Sequence, residues 1–219
     1  MATTPRSGAQ RAAIRDRKHQ EQVPERRAAV LTPQQIGQLL AIADSRDAAL
    51  VAVLAAGACR IGEALLLCWG DIDHNGRVTV PGSITKNGRS RAFTMPPQAL
   101  QRLDAWQHQC PPSERGWLFP GQPVRQPLSV RAGQLAIKRM AERLGLERVS
   151  SHSFRRSALT AAHQAGLPLR ALAELSGHQS LASLQRYLDA DAARAQAEEA
   201  RSLLFGATPQ HGGSGSLQP

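Results

Sequence analysis

The spacing of apolar positions changes along the chain, and the changes separate helical stretches from one strand-like insertion. Leu31-Thr32-Pro33-Gln34-Gln35 reads as a helix start, with Thr32 as N-cap, proline at the first helical position and glutamine at the third, a capping-box pattern. Ile36, Leu39, Leu40 and Ile42 then supply one apolar face. A second helix over 46–56 is almost wholly Ala, Val and Leu, so it should be buried on every side, with Gly57 ending it. A third, short helix covers 61–67.

After Trp69 the period falls to two. Asp73-His74-Asn75-Gly76-Arg77 followed by Val78-Thr79-Val80 predicts an Asn-Gly turn feeding a strand. A second Asn-Gly, Asn87-Gly88, separates Ser83-Ile84-Thr85 from Ala92-Phe93-Thr94, which together imply a small three-stranded antiparallel sheet. From Pro97 the pattern is helical again, over 98–109, 129–144, 151–165, 169–175, 182–187 and 190–204. The expected fold class is therefore mainly α with a small three-stranded antiparallel β-sheet (α+β). Residues 1–29 carry many arginines and few large apolar side chains and read as a basic, flexible arm; 30–205 read as one domain, and 206–219, with Gly-Gly-Ser-Gly-Ser, as a disordered tail.

Charge narrows the class. Lys and Arg number 27 against 17 Asp and Glu, a formal net charge of +10, which points to a polyanionic partner, nucleic acid ahead of a membrane surface. Aromatic residues make up only 4% of the chain, so contact should rest on charge and hydrogen bonds rather than base stacking, which favours duplex DNA. The longest apolar stretch, 48–59, falls short of the about 20 residues a membrane-spanning helix needs. The N-terminus has no apolar core of a secretory signal, and Cys59, Cys68 and Cys110 show no paired spacing, so neither zinc nor a disulfide framework is expected. These features fit a soluble protein of the cytoplasm, associated with the nucleoid, working without a cofactor or metal.

Several residues carry candidate chemistry, each with a plainer reading beside it. Arg60 and Glu63, three apart at the start of a helix, form either a surface ion pair or a cation backed by its carboxylate. Lys86 lies at a hairpin tip with Arg89 and Arg91 close by, either merely solvated or able to grip a phosphate. His152 and Arg155, at i and i+3, share a helical face, and two cationic groups there leave room for an anion between them. Arg156 is the rival for that role. His178 follows Gly177 at a helix end, a common structural position, and Tyr187 is the sole tyrosine.

In order, Arg60, Lys86, His152-x-x-Arg155, Gly177-His178 and Tyr187 resemble the active-site signature of the tyrosine recombinase (phage integrase) family. The resemblance covers about residues 31–204 and is most specific in Ser151-His152-Ser153-Phe154-Arg155-Arg156-Ser157, Leu175-Ser176-Gly177-His178-Gln179-Ser180 and Gln185-Arg186-Tyr187. Arg60-Ile61-Gly62-Glu63 leading to Trp69-Gly70-Asp71 is similar too. One departure is Ala58, where members usually carry glycine two residues before the first arginine. Many members also have a helical domain before the catalytic one, which completes a clamp on DNA and which residues 1–29 cannot replace; others, such as the fimbrial phase-switch recombinases, consist of the catalytic domain alone.

The resemblance implies a site-specific DNA recombinase with Tyr187 as nucleophile, a 3′-phosphotyrosine intermediate, and Arg60, Arg155, His152 and His178 around the phosphate. Glu63 supports them, Lys86 is the candidate general acid, and Arg89, Arg91, Arg156 and Arg186 are candidate DNA contacts. It also implies a homotetramer on double-stranded DNA through the segment 190–204, whose Ala193, Ala197, Ala200 and Leu204 share one side; packing on its own domain is the alternative. Two rival functions are a type IB topoisomerase, which shares the chemistry without strand exchange, and a non-catalytic DNA-binding regulator that keeps the fold.

Overall fold

The computed structural model describes residues 28–178, 180 and 184. Residues 1–27 of the arm expected over 1–29, Arg186, Tyr187, the segment 190–204 and the tail over 206–219 lie outside them.

The first helix, α1 (Pro33–Ile42), begins as its sequence dictates: Thr32 accepts from the Gln35 amide, and the Gln35 side chain accepts from the Thr32 amide. α2 (Ser45–Ala56) is capped by Asp44, and all of Ala48 to Leu54 is buried. It is the central element, packed against α1, α4 (Pro97–Gln107), α5 (Val130–Arg143) and α6 (Ser151–Gln164). That is why its sequence lacks a polar stripe. Leu39, Leu50, Leu54, Leu65, Phe93, Leu118, Phe119, Ile137 and Phe154 fill the main core around it. Among the described residues, no helix is long and apolar enough to cross a membrane.

The sheet is smaller than the sequence suggested. β1 (Arg77–Val80) pairs antiparallel with β2 (Arg91–Thr94), and Ile72 adds a single bridge to Val78. The first Asn-Gly turn forms as expected, with Gly76 at φ 72° and Asp73 accepting from the Asn75 and Arg77 amides. Ser83-Ile84-Thr85 does not become a strand. Pro81 has no amide hydrogen for a ladder, and the chain instead makes a 3₁₀ turn over Gly82–Ile84. The Thr85 hydroxyl reaches the Gly82 and Arg89 carbonyls, and Gly82 lies so close to the Gly88 carbonyl that a Cβ there would fall 2.4 Å from its oxygen. The β1–β2 connection is thus a folded loop, with Lys86 and Arg89 exposed on it.

Gly57-Ala58-Cys59 forms the turn from α2 into α3 (Ile61–Leu65). Ala58 takes φ 46°, the left-handed region in which the expected glycine would sit without strain. Gly57 is the residue without an alternative: a Cβ there would lie 2.4 Å from the Phe93 ring and 2.7 Å from the Cys59 sulfur. Gly57→Ala should therefore lower unfolding free energy by about 1–3 kcal/mol through overpacking, while Ala58→Gly, which trades strain against unfolded-chain entropy, should stay within about 1 kcal/mol of wild type. Urea denaturation of both variants checks this; equal losses would show that the turn, not the close approach, sets the requirement.

Candidate active site

Three helix ends and one loop meet on one side of α2. Arg60 is the N-cap residue of α3, where extended backbone turns its side chain back over the first turn. Glu63 waits there. Its Oε1 accepts from Arg60 Nη1 at 2.8 Å, and its Oε2 accepts from the Arg60 amide at 3.1 Å and from Arg91 Nη2 at 2.7 Å. Burial pushes the Glu63 carboxyl up, but the hydrogen bonds from Arg60 and Arg91 outweigh it and hold the group below the usual carboxylate range. Glu63 is only 3% exposed, so its pair with Arg60 is not the surface ion pair of the plainer reading.

α6 supplies His152 and Arg155 one turn apart, as their spacing requires. Arg155 is 1% exposed. Its Nη1 donates to the Ala58 carbonyl at 2.6 Å and its Nη2 to the Ser176 carbonyl at 2.7 Å, so one guanidinium ties the turn before Arg60 to the end of α7 (Leu169–Ser176). The same Nη2 lies 3.4 and 3.5 Å from the two ring nitrogens of His178. His152, on the first turn of α6, is more exposed than His178.

α7 ends at Gly177, which takes φ 66° and returns the His178 amide to the Ala173 carbonyl at 3.0 Å. This left-handed cap aims His178 at Arg155. The β1–β2 loop is fastened to the same turn, since Asn87 Nδ2 donates to the Gly177 carbonyl at 3.3 Å. Lys86 is thereby carried next to the Gly-His segment, although its own side chain is exposed.

Arg60, His152, Arg155 and His178 are thus gathered in one place. Arg91 and Arg156, expected to face DNA, are instead turned into the protein. Arg91 joins Glu63, the Gly57 carbonyl at 2.9 Å, the Leu175 carbonyl at 3.3 Å and the Cys59 sulfur at 3.4 Å, locking β2 to α2, α3 and α7. Arg156 is 8% exposed and donates to the Ala28 carbonyl at 2.8 Å, on a different side of α6 from Arg155. Sequence reasoning passed over Ser176, Asn87 and the Ala58 carbonyl, all of which touch a site residue or its loop. Only Ser176, two positions before His178 in the Gly-His segment, carried any local signal.

The electrostatics match a site built for an anion. Partial burial, then the charges of Arg155 and Arg60, push His178 down to about 4 from its ordinary 6.5, with Glu63 opposing. The same causes in the same order lower His152. Both rings are therefore harder to protonate in the folded protein than in an unfolded chain, which takes up protons at the ordinary value. Between pH 6.5 and about 4 the unfolded state therefore binds more protons, and stability falls as acid is added. The urea midpoint should drop between pH 7 and 5, and His178→Asn should drop less. Parallel curves for the two proteins would exclude His178 as a source of the acid sensitivity.

The profile of the phage integrase family matches residues 29–194 of the chain. Among curated relatives, "Tyrosine recombinase XerC" of Xanthomonas campestris pv. campestris is 34% identical over 148 residues, which cover 67% of this chain and 45% of the relative. A "Putative integrase/recombinase y4eF" of Sinorhizobium fredii is 30% identical over 168 residues, 75% of this chain and 65% of that one. The chain thus spans less than half the length of this XerC relative. Of solved structures, the XerA recombinase superposes with a TM-score of 0.69 at 23% identity, over 79% of this chain and 65% of that chain. The XerH site-specific recombinase in a post-cleavage complex with its palindromic difH substrate gives 0.68 at 23% identity, over 80% of this chain and 52% of that chain. These structural likenesses establish the shared fold.

Proposed function

Because the chain belongs to the phage integrase family, we propose that it cuts and rejoins duplex DNA at specific sites through a covalent phosphotyrosine. The observation that carries this reading is the grouping of Arg60 and Arg155, each aligned by fixed internal partners, with His152 and His178 beside them. A phosphodiester passing through its pentacoordinate state gathers negative charge on the non-bridging oxygens. Two guanidinium groups held in place bring positive charge to that site, and the partly exposed Arg60 offers a planar fork that an ammonium cannot copy.

In the proposed reaction the Tyr187 phenol loses its proton as its oxygen bonds to phosphorus. The phosphorus–5′-oxygen bond breaks, and the departing oxygen takes a proton from Lys86, leaving a 3′-phosphotyrosine and a free 5′-hydroxyl. A second 5′-hydroxyl reverses the step, so the bond energy is stored and ATP is not consumed. Double-stranded DNA is the partner; Arg89, exposed on the Lys86 loop, and Arg186 contact it. Assembly of four copies on DNA through the segment 190–204, and residence at the nucleoid, belong to the same proposal.

If Lys86 is the general acid, Lys86→Ala should slow cleavage by about 10²-fold, and replacing the 5′-bridging oxygen by sulfur, a leaving group that needs no proton, should restore the rate. A variant equally slow on both substrates removes Lys86 from that role. The function itself is tested by incubating two duplexes, each carrying the DNA that flanks the gene, without metal or ATP. Reciprocal strand exchange between them supports a recombinase. Relaxation of any supercoiled plasmid without exchange supports a topoisomerase instead, and binding with no cleavage supports the regulator.

A further inference from the structure

At the end of α7 three successive carbonyls each meet a side-chain donor from a different element. Carbonyls at a helix end lack partners within the helix, so such donors are what satisfies them. Arg91 of β2 donates to Leu175 at 3.3 Å, Arg155 of α6 to Ser176 at 2.7 Å, and Asn87 of the β1–β2 loop to Gly177 at 3.3 Å. The two arginines are largely buried and hold several partners apiece. Arg91 also packs on the turn itself, since a Cβ at Gly177 would stand 3.4 Å from its Cδ. Asn87 differs from both, because it directly follows Lys86. The turn that places His178 therefore also holds the loop that carries Lys86.

The Asn87 amide is used at both ends. Its Nδ2 donates to the Gly177 carbonyl, which can only accept, and its Oδ1 accepts at 3.2 Å from the Arg89 amide, which can only donate. Those two partners fix which way the side chain faces. The loop is otherwise folded on itself, through the Thr85 hydroxyl and through the Gly82 amide donating to Ser90 Oγ at 2.9 Å. Ile84, before Lys86, rests against the main core. After Lys86, among the described residues, Asn87 is the side chain that ties the loop to the site by a hydrogen bond. Neighbouring Cα atoms are about 3.8 Å apart, so holding Asn87 confines the Lys86 backbone while its long, exposed side chain stays free to swing.

We propose that Asn87 is a positioning residue: by fastening the loop to the Gly177 carbonyl it sets where Lys86 can deliver its proton. This rests on the recombinase reading, with Lys86 as general acid, for its consequence in the reaction. As the phosphorus–5′-oxygen bond breaks, the Lys86 ammonium gives a proton to the departing oxygen and becomes a neutral amine. That transfer needs donor and oxygen within hydrogen-bond reach, whereas the charge on the phosphate is met by Arg60 and Arg155. Releasing the loop therefore weakens protonation of the leaving group and spares the rest. Serine at position 87 separates this latch from the turn: its hydroxyl can still accept from the Arg89 amide, but it is too short to reach Gly177.

The test compares the full chain with Asn87→Ser. Single-turnover cleavage of a nicked duplex should slow by about 10-fold when the leaving atom is the natural 5′-oxygen, by the sensitivity of such steps to misplacement on the scale of an ångström. With sulfur at the 5′-bridging position, which leaves without a proton, the variant should match wild type within about 2-fold. Equal slowing on both substrates, or no slowing on either, overturns the positioning role. If sulfur fails to restore Lys86→Ala, that role falls with the Lys86 assignment. Hydrogen exchange read by mass spectrometry over residues 82–90 should be about 3- to 10-fold faster in Asn87→Ser, as loss of one hydrogen bond implies. Unchanged exchange overturns the latch itself. Should wild type cleave neither substrate, the recombinase reading fails, and exchange alone then decides whether Asn87 holds the loop.

Discussion

Replacing Arg155 by Lys should slow strand cleavage by at least about 100-fold and destabilise the fold at the same time. The guanidinium spans two carbonyls that belong to distant parts of the chain, Ala58 at 2.6 Å and Ser176 at 2.7 Å, while lying against the His178 ring. An ammonium is a point donor on a shorter stem and cannot reach both carbonyls at once. One of them is left buried without this partner, a loss of about 1–3 kcal/mol. The rate effect has a separate origin. Arg155 holds the turn before Arg60 and the end of α7 in register, so its loss removes one preorganised charge and loosens another, where a single lost donor already costs about 10²–10³ in rate. Urea denaturation reads the first effect and single-turnover cleavage, at a temperature where both proteins are folded, reads the second. Cleavage within a few-fold of wild type would remove Arg155 from the phosphate.

Glu63→Gln should be nearly as damaging although no contact with DNA is assigned to Glu63. Its two carboxylate oxygens receive Arg60 and Arg91 side chains at 2.8 and 2.7 Å, and the Arg60 amide as well. An amide of the same shape offers one accepting oxygen and turns an N–H₂ towards a cation. Arg91, whose side chain is only 10% exposed, then loses its counter-charge, and breaking a buried pair in this way typically costs 3–5 kcal/mol. Arg60 loses the partner that aims its fork, so cleavage should fall by about 10²-fold, by the sensitivity of such reactions to misplacement on the scale of an ångström. Affinity for duplex DNA, which depends on the summed positive charge, should change little. A Gln variant that is stable and fully active would show that Arg60 is aligned by something other than Glu63.

What was legible in the sequence was local. Thr32 and Gln35 wrote the start of α1, the apolar run from Ala48 marked α2 as the buried helix, and the three-residue spacing of His152 and Arg155 put imidazole and guanidinium on one face. The same geometry separates Arg155 from Arg156, since neighbours on a helix point about 100° apart. What the sequence did not show depends on partners far along the chain. The carbonyls that hold Arg155 lie 97 and 21 residues away, and Arg91 reaches 28 residues back to Glu63 and 84 forward to Leu175. A cation on a hairpin looks solvent-facing until those partners are in place. The missing middle strand has a different cause: Ser83-Ile84-Thr85 has strand-like composition, but Pro81 and the Thr85 hydroxyl satisfy the backbone within the loop instead. The Ala58 carbonyl could not be read at all, because every residue has one.

Tyr187 is where the central claim meets its most direct measurement. The protein is incubated with a nicked duplex carrying the DNA that flanks its gene, the reaction is stopped with denaturant, and the products are digested with nuclease and protease for mass spectrometry. The account predicts one modified peptide, with a nucleotide joined through its 3′-phosphate to Tyr187, and none from Tyr187→Phe. An adduct that persists in Tyr187→Phe, or that maps to another side chain, contradicts it.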